Sequence, residues 1–214
     1  MKQEEKSKRT YEKILNAAIV EFGDNGYDNG SLNTICKNYN ISKGLIYHHF
    51  ENKDELYLSC VEQAFQKITE FLNQSNYNEA KFSDNIQKLI DLRYQFFHEN
   101  PHYSNIFFGT VLQPPKHLTD RIKQIRRTFD DFNAQQYRKI IENVTLREDV
   151  SKEEALEYFF VFQEMFNGYF QSKAYENTDF HSLIDAHEMK LSKVLNIMLY
   201  GIAKEKTNDS SINF

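Results

Sequence analysis

The chain has 214 residues, a net charge of −5, and only 7 Gly and 3 Pro. So few turn formers argue against an all-β sandwich, which needs a turn every ~8–12 residues, and leave long helices with few connections. No apolar run approaches the ~20 residues of a membrane span, the charged start lacks a secretory h-region, and Cys36 and Cys60 alone make neither a disulfide framework nor a zinc site, so a cytoplasmic protein is expected.

Charge is not evenly spread. Residues 1–50 hold seven Lys or Arg and six Asp or Glu, which leaves −6 for the remainder. A small, slightly basic N-terminal unit therefore precedes an acidic body. Aromatic use is heavy, with 18 Phe and 13 Tyr but no Trp.

Helical periodicity runs the length of the chain and predicts an all-α fold of about nine helices. Thr10 suits an N-cap. Tyr11, Ile14, Leu15, Ala18, Ile19 and Phe22 then form one apolar face, stopped by Gly23-Asp24-Asn25-Gly26. Ser31 caps a short helix to about Asn38, and Ser42 another to about His49. Asn52 opens a long helix with Asp54 and Glu55 in its first turn, where the helix dipole favours acids. After a polar break at Asn73 to Asn78, Ser83 opens a helix closed by Asn100-Pro101. Tyr103 to Leu112 is short and apolar, and Thr119 to about Asn143 is long and amphipathic. Ser151 and Glu154 form a capping box for a helix to about Tyr175. A last helix spans His181 to Lys204, and 205–214 is a polar, frayed tail.

Residues 31–50, SLNTICKNYNISKGLIYHHF, carry the sharpest signal. Two short helices meet at Tyr39-Asn40-Ile41, and Asn40 suits the left-handed residue that a tight bend requires. Ile35, Ile41, Ile46 and Phe50 can share a small core. Ser42, Lys43, Gly44, Leu45, Tyr47 and His48 then face outward. The second helix presents unpaired N–H groups at its start, a cation in Lys43, and at Gly44 no bulk to hold it off a groove. This is how a recognition helix enters the major groove. An ordinary helical corner is the bland alternative. Lys6, Lys8, Arg9 and Lys13 form either an arm toward phosphates and the minor groove or a solvated terminus.

Over about residues 8–60 the sequence resembles the TetR/AcrR family of one-component regulators. The likeness is carried by K-R-T-Y-E-K-I-L-N-A-A-I-V-E-F-G-D-N-G-Y, S-L-N-T-I and I-S-K-G-L-I-Y-H-H-F-E-N-K-D-E-L. The resemblance implies a three-helix DNA-binding domain at 1–50 and a six-helix ligand-sensing and dimerising domain at 51–204. It places DNA contacts on Ser31, Ser42, Lys43, Gly44, Leu45, Tyr47 and His48, with a phosphate-clasping Lys at Lys53. Gly30, Cys36, Tyr39 and Asn40 depart from the family pattern, which affects packing detail and operator preference.

In the body, Leu156 to Phe170 is apolar around much of its circumference and must touch more than one layer. The resemblance implies that this helix and the last one form a four-helix dimer interface, expected at Leu191, Val194, Leu195, Met198 and Ile202. A deeply buried monomer helix is the alternative. Tyr94, Phe97, Phe107, Phe108, Phe129, Phe132, Phe159, Phe162 and Phe166 recur on apolar faces, which suits a pocket for a hydrophobic small molecule. Its polar members would be Arg93, Gln163, Asn167 and Glu164. An inward Glu164 would favour a lipophilic cation, an inward Arg93 a carboxylate. No catalytic or phosphate-binding motif is present, the seven histidines show no ligand spacing, and no enzyme, metal or cofactor is expected. The function expected is a homodimeric repressor on a palindromic operator, released when a ligand moves the helix at about 52–74. A body that binds a protein instead is the main rival, and would be favoured by a core with room for only a few waters. A helical ligand carrier with an incidental basic segment is the other.

Overall fold

The computed structural model describes residues 3–74, 82–142, 145–174 and 179–202, excepting the side chains of 82–86 and 199–202. Among these are nine α-helices: α1 Gln3–Asn29, α2 Leu32–Tyr39, α3 Lys43–His49, α4 Lys53–Gln74, α5 Phe82–Glu99, α6 Pro101–Leu112, α7 Thr119–Glu142, α8 Lys152–Ala174 and α9 Phe180–Ile202. The all-α architecture follows the periodicity. The end of the polar break, the tail and the side chain of Ile202 lie outside the described residues. Among them no helix is long and apolar enough to cross a membrane.

Several ends are set by the caps read from the sequence. Asn52 Oδ1 accepts from Glu55 N at 3.0 Å. Ser151 and Glu154 close their box reciprocally, at 3.1 and 2.9 Å. Two ends differ. Helix α1 starts at Gln3, because Thr10 donates its hydroxyl back to the Lys6 carbonyl within the helix instead of capping it. Lys6, Lys8 and Arg9 thus belong to a regular helix, with Arg9 paired to Glu5, and not to a free arm. Helix α1 also passes the expected stop and kinks at Gly26 (φ 69°) before ending at Asn29. The cap of α9 is Asp179, whose Oδ2 accepts from Ser182 N at 2.9 Å.

One hydrophobic core runs from α1 to α9 without a break at residue 50. Leu56, Cys60, Val61, Ile68 and Leu72 of α4 are wholly buried in it. Each large aliphatic side chain so buried contributes about 1.5–3 kcal/mol. The end of α1 docks on α6 at Gly23, where a Cβ would stand 2.8 Å from the His102 backbone. Asn105 Nδ2 donates to the Gly23 carbonyl at 2.9 Å, and His102 lies 3.2 Å from Asp24. Gly23→Ala should therefore destabilise the protein by about 1–3 kcal/mol in chemical denaturation, as overpacking does. Gly109→Ala, inside α6 with nothing within 4 Å, should instead add about 0.5–1 kcal/mol through helix propensity.

Candidate nucleic-acid interface and regulatory body

The helix-turn-helix is built as its residue types require. Ile35 and Ile46 are wholly buried, with Ile41 and Phe50 beside them. Asn40 is left-handed at φ 50°, ψ 52°, and its N–H closes α2 on the Cys36 carbonyl. Tyr11 of α1 stacks on Phe50 with ring centroids 5.0 Å apart. Gly30 is buried where a Cβ would meet the Phe22 ring at 2.4 Å, so no larger residue can stand there with Phe22 in place.

On the outer face Ser42, Lys43, Gly44, Leu45, Tyr47 and His48 are exposed, Tyr47 at 48%. Ser42 Oγ already accepts from Leu45 N at 3.2 Å, and Ser31 Oγ from Thr34 N at 3.4 Å. Both serines are thus helix caps first. Glu21, invisible as a functional residue in the sequence, is buried, and its carboxylate accepts from Ser31 N at 2.9 Å, fixing the entry to α2. Lys53 lies over the Tyr27 ring at 4.6 Å and reaches the Asp28 carbonyl.

The start of α4 is clasped from the body. Arg121 of α7 makes a two-pronged bond to Glu55, one arm 2.9 Å long. His117, just before α7, lies 3.2 Å from both Asp54 and the Tyr27 hydroxyl, and Tyr27 donates to Asp54. Burial, then the hydrogen bond to Asp54 and its charge, push the Tyr27 phenol up to about 12. Cys60 is wholly buried, and burial pushes its thiol far up, so it is inert.

The expected aromatic pocket is largely filled by its own rings. Phe107 packs on Phe65, Phe97 and Phe129 at centroid distances of 4.9, 4.9 and 5.4 Å. The remaining cavity is about 40 Å³, room for a few waters at about 10–15 Å³ each. Arg93, Phe107, Phe129, Phe159, Phe162, Gln163 and Asn167 line it as expected. Phe108, Phe132 and Phe166 do not line it, and Tyr94 and Phe97 face a separate outer cleft. The periodicity put all of these on apolar faces, but Phe97, Phe108 and Phe166 pack on other rings, Phe132 is buried away from the cavity and Tyr94 is half exposed. Arg93 is the inward charge, whereas Glu164 is exposed.

Arg93 does not stand alone. Its Nη2 meets Glu188 Oε1 at 2.9 Å and its Nε meets Oε2 at 3.3 Å. Its guanidinium also lies over Phe97, Phe107 and Phe129 at 5.5–5.9 Å. His187 bridges Glu188 and Asn167 at 3.2 and 3.1 Å. Burial opposes the Glu188 charge, yet Arg93 and His187 outweigh it and hold its carboxyl well below the usual range. Arg126, Asn133, Tyr137 and His187 also line the cavity. Tyr137 lay on a legible apolar stripe, but the partnership of residues 93 and 188 had no local signal.

The expected dimer stripe is corrected. Leu195 is 2% exposed and packs with Ile90, Tyr137, Ile140 and Phe159, with Leu191 and Met198 against that cluster and Val194 against the main core. The exposed apolar face lies elsewhere on the same two helices: Tyr158, Val161, Met165 and Tyr169 of α8, Met189 and Ile197 of α9. The period was right and the face was not, because both sides of α9 carry apolar residues.

Glu188→Gln would leave a buried guanidinium without its counter-charge, so denaturant unfolding should report a loss of about 3–5 kcal/mol at neutral pH. The Arg93→Met/Glu188→Met pair should equal or exceed the parent there. The depressed carboxyl contributes fully above its unfolded value of about 4.3 and loses that contribution as pH falls through its folded value, about 2. The parent should therefore lose more stability than the double variant across that window.

The family described as bacterial regulatory proteins, tetR family, matches residues 14–60. The tetracyclin repressor-like C-terminal domain matches residues 80–205. The biofilm operon icaADBC HTH-type negative transcriptional regulator IcaR of Staphylococcus epidermidis is 38% identical over 85 residues, 40% of this chain and 42% of that protein. IcaR of Staphylococcus aureus is 26% identical over 144 residues, 63% of this chain and 77% of its own. Among solved structures, the transcriptional regulator FadR of Bacillus subtilis, in complex with stearoyl-CoA, has a TM-score of 0.65 at 17% identity, covering 90% of this chain and 99% of that one. A TetR-family regulator of Agrobacterium tumefaciens has a TM-score of 0.61 at 17% identity, covering 92% and 100%. These two share its fold. Matched by family models over both its helix-turn-helix segment and its body, this chain belongs to the tetR family and is a DNA-binding transcriptional regulator.

Proposed function

We propose that the chain is a repressor that binds a palindromic operator as a homodimer and leaves it when a small apolar anion enters the body. The observation that carries the DNA half is α3 itself. Its inner face is locked in the core, while Lys43, Gly44, Leu45, Tyr47 and His48 stand free on the outer one. The IcaR relatives are negative regulators by name, which supports repression. Pairing is supported by the exposed apolar face of α8 and α9, which a soluble regulator covers with a second copy.

The ligand class is supported by charge. Arg93 and Arg126 line the inner cavity, and among the described residues no carboxylate does. Asn133 and Tyr137 also line it, and among the described residues neither side chain has a hydrogen-bond partner. A ligand with a carboxylate and an apolar tail would answer both. The FadR neighbour, holding an acyl-CoA, supports the same class. With about 40 Å³ available, such a ligand must select an opened body, and its effect is bounded by its differential affinity for the two forms. The nearly solid core favours the rival, a body that answers to a protein.

An operator selected from random DNA provides the test. Lys43→Ala and Tyr47→Ala should each weaken binding by about 1–3 kcal/mol with the fold intact, and parent-like binding by both would refute the assignment of α3. Met165→Glu should give monomers in light scattering and lose the operator, because a carboxylate in a dry interface has no partner. A medium-chain fatty acid, not the matching alkylammonium, should lower the anisotropy of a preformed operator complex. If neither does, the protein-partner reading replaces the ligand.

A further inference from the structure

A second cavity lies on the outer side of the Arg93–Glu188 pair. It opens between α5, α6 and the first turns of α9, and measures about 160 Å³. A benzene ring fits a cavity of about 150 Å³, so this cleft, unlike the inner cavity, admits an organic molecule as it stands. Tyr94 and Phe97 supply aromatic walls, His98 and His181 complete the sides, and Asp185 and Glu188 supply carboxylates. Among the described residues no lysine or arginine lines it.

Two buried groups point to a donor-bearing ligand. Ser104 lines the cleft, is 6% exposed, and among the described residues its hydroxyl has no hydrogen-bond partner. Glu188 is 2% exposed. Its Oε1 serves Arg93 and His187, but its Oε2 accepts only from Arg93 Nε, at 3.3 Å. A carboxylate oxygen has two acceptor sites, so one remains open on a residue that lines the cleft. Asp185, exposed at the rim, adds a second negative charge.

We propose that this cleft is a second ligand site, selective for a small primary ammonium ion with an aromatic or compact apolar body. The ammonium has three donors, which match Ser104 Oγ, Asp185 and the open site on Glu188. Its apolar part lies against Tyr94 and Phe97, whose ring faces also attract the charge. Ser104, Asp185 and Glu188 do not line the inner cavity, so this site does not depend on the reading of the operator or of the inner ligand.

Calorimetry on the full-length protein, with benzylammonium, benzyl alcohol and benzoate as probes, tests this. Benzylammonium should bind one per chain, at least about tenfold tighter than the alcohol, with benzoate not binding. Amide shifts in NMR should centre on Ser104 and Asp185. Asp185→Asn, a surface change that spares the fold, should weaken benzylammonium severalfold, and Ser104→Ala should do the same. Asp131→Asn, exposed on α7, should leave it unchanged. The proposal is overturned if benzoate or benzyl alcohol matches benzylammonium, if millimolar benzylammonium fails to saturate, or if both cleft variants bind like the parent.

Discussion

The rest of the molecule depends on the burial of α4. Five of its side chains, from Leu56 to Leu72, expose nothing, and they belong to the same core as α1 and α6. Such an interior is packed to crystal density and does not deform smoothly. Its first turn is held as well, by Arg121 on Glu55 and by His117 and Tyr27 on Asp54. A displacement of the body helices therefore cannot be absorbed locally. It is handed to α1, and with α1 to the helix-turn-helix that packs on it. Helix α7 has both roles at once, since Arg126, Phe129, Asn133 and Tyr137 line the inner cavity while Arg121 grips α4. A single helix thus joins the inner cavity to the start of α4, and under the proposed function it is the element through which a ligand would act.

The Arg93–Glu188 pair answers to a different demand. A buried ion pair seldom adds net stability over apolar residues of the same volume. Here it joins α5 to α9 and divides the inner cavity from the outer cleft, with three phenylalanine faces around the guanidinium. It sets Arg93 against the inner cavity and Glu188 against the outer cleft.

What was legible in the sequence was local. Asn40 in a left-handed turn, the serine caps of α2 and α3, the Ser151–Glu154 box and the buried isoleucines all stand as their residue types require, because each is decided within about one turn of chain. The start of α1 was misread because Thr10 bonds back to Lys6 instead of capping, a choice open to any threonine in a helix. The face of α9 was misread for a deeper reason. Periodicity locates an apolar stripe but does not say which neighbour covers it, and with apolar residues on two sides the inward one was decided by packing against Ile90 and Phe159. The pocket was overestimated similarly: composition counts rings, whereas empty space depends on how they stack. The pairing of residues 93 and 188 spans 95 positions and had no local trace.

The apolar face on α8 and α9 has a consequence for how the protein would report its own abundance. Tyr158, Val161, Met165 and Ile197 stand exposed on the single chain, and the proposed pairing would cover them. When two copies must meet before either can hold both halves of a symmetric DNA site, occupancy at low expression rises with the square of the number of chains, not in proportion to it. For a regulator that pairs in this way, halving synthesis would quarter the pool of competent molecules, so dilution during growth would turn a gradual fall in protein into a sharp loss of operator occupancy.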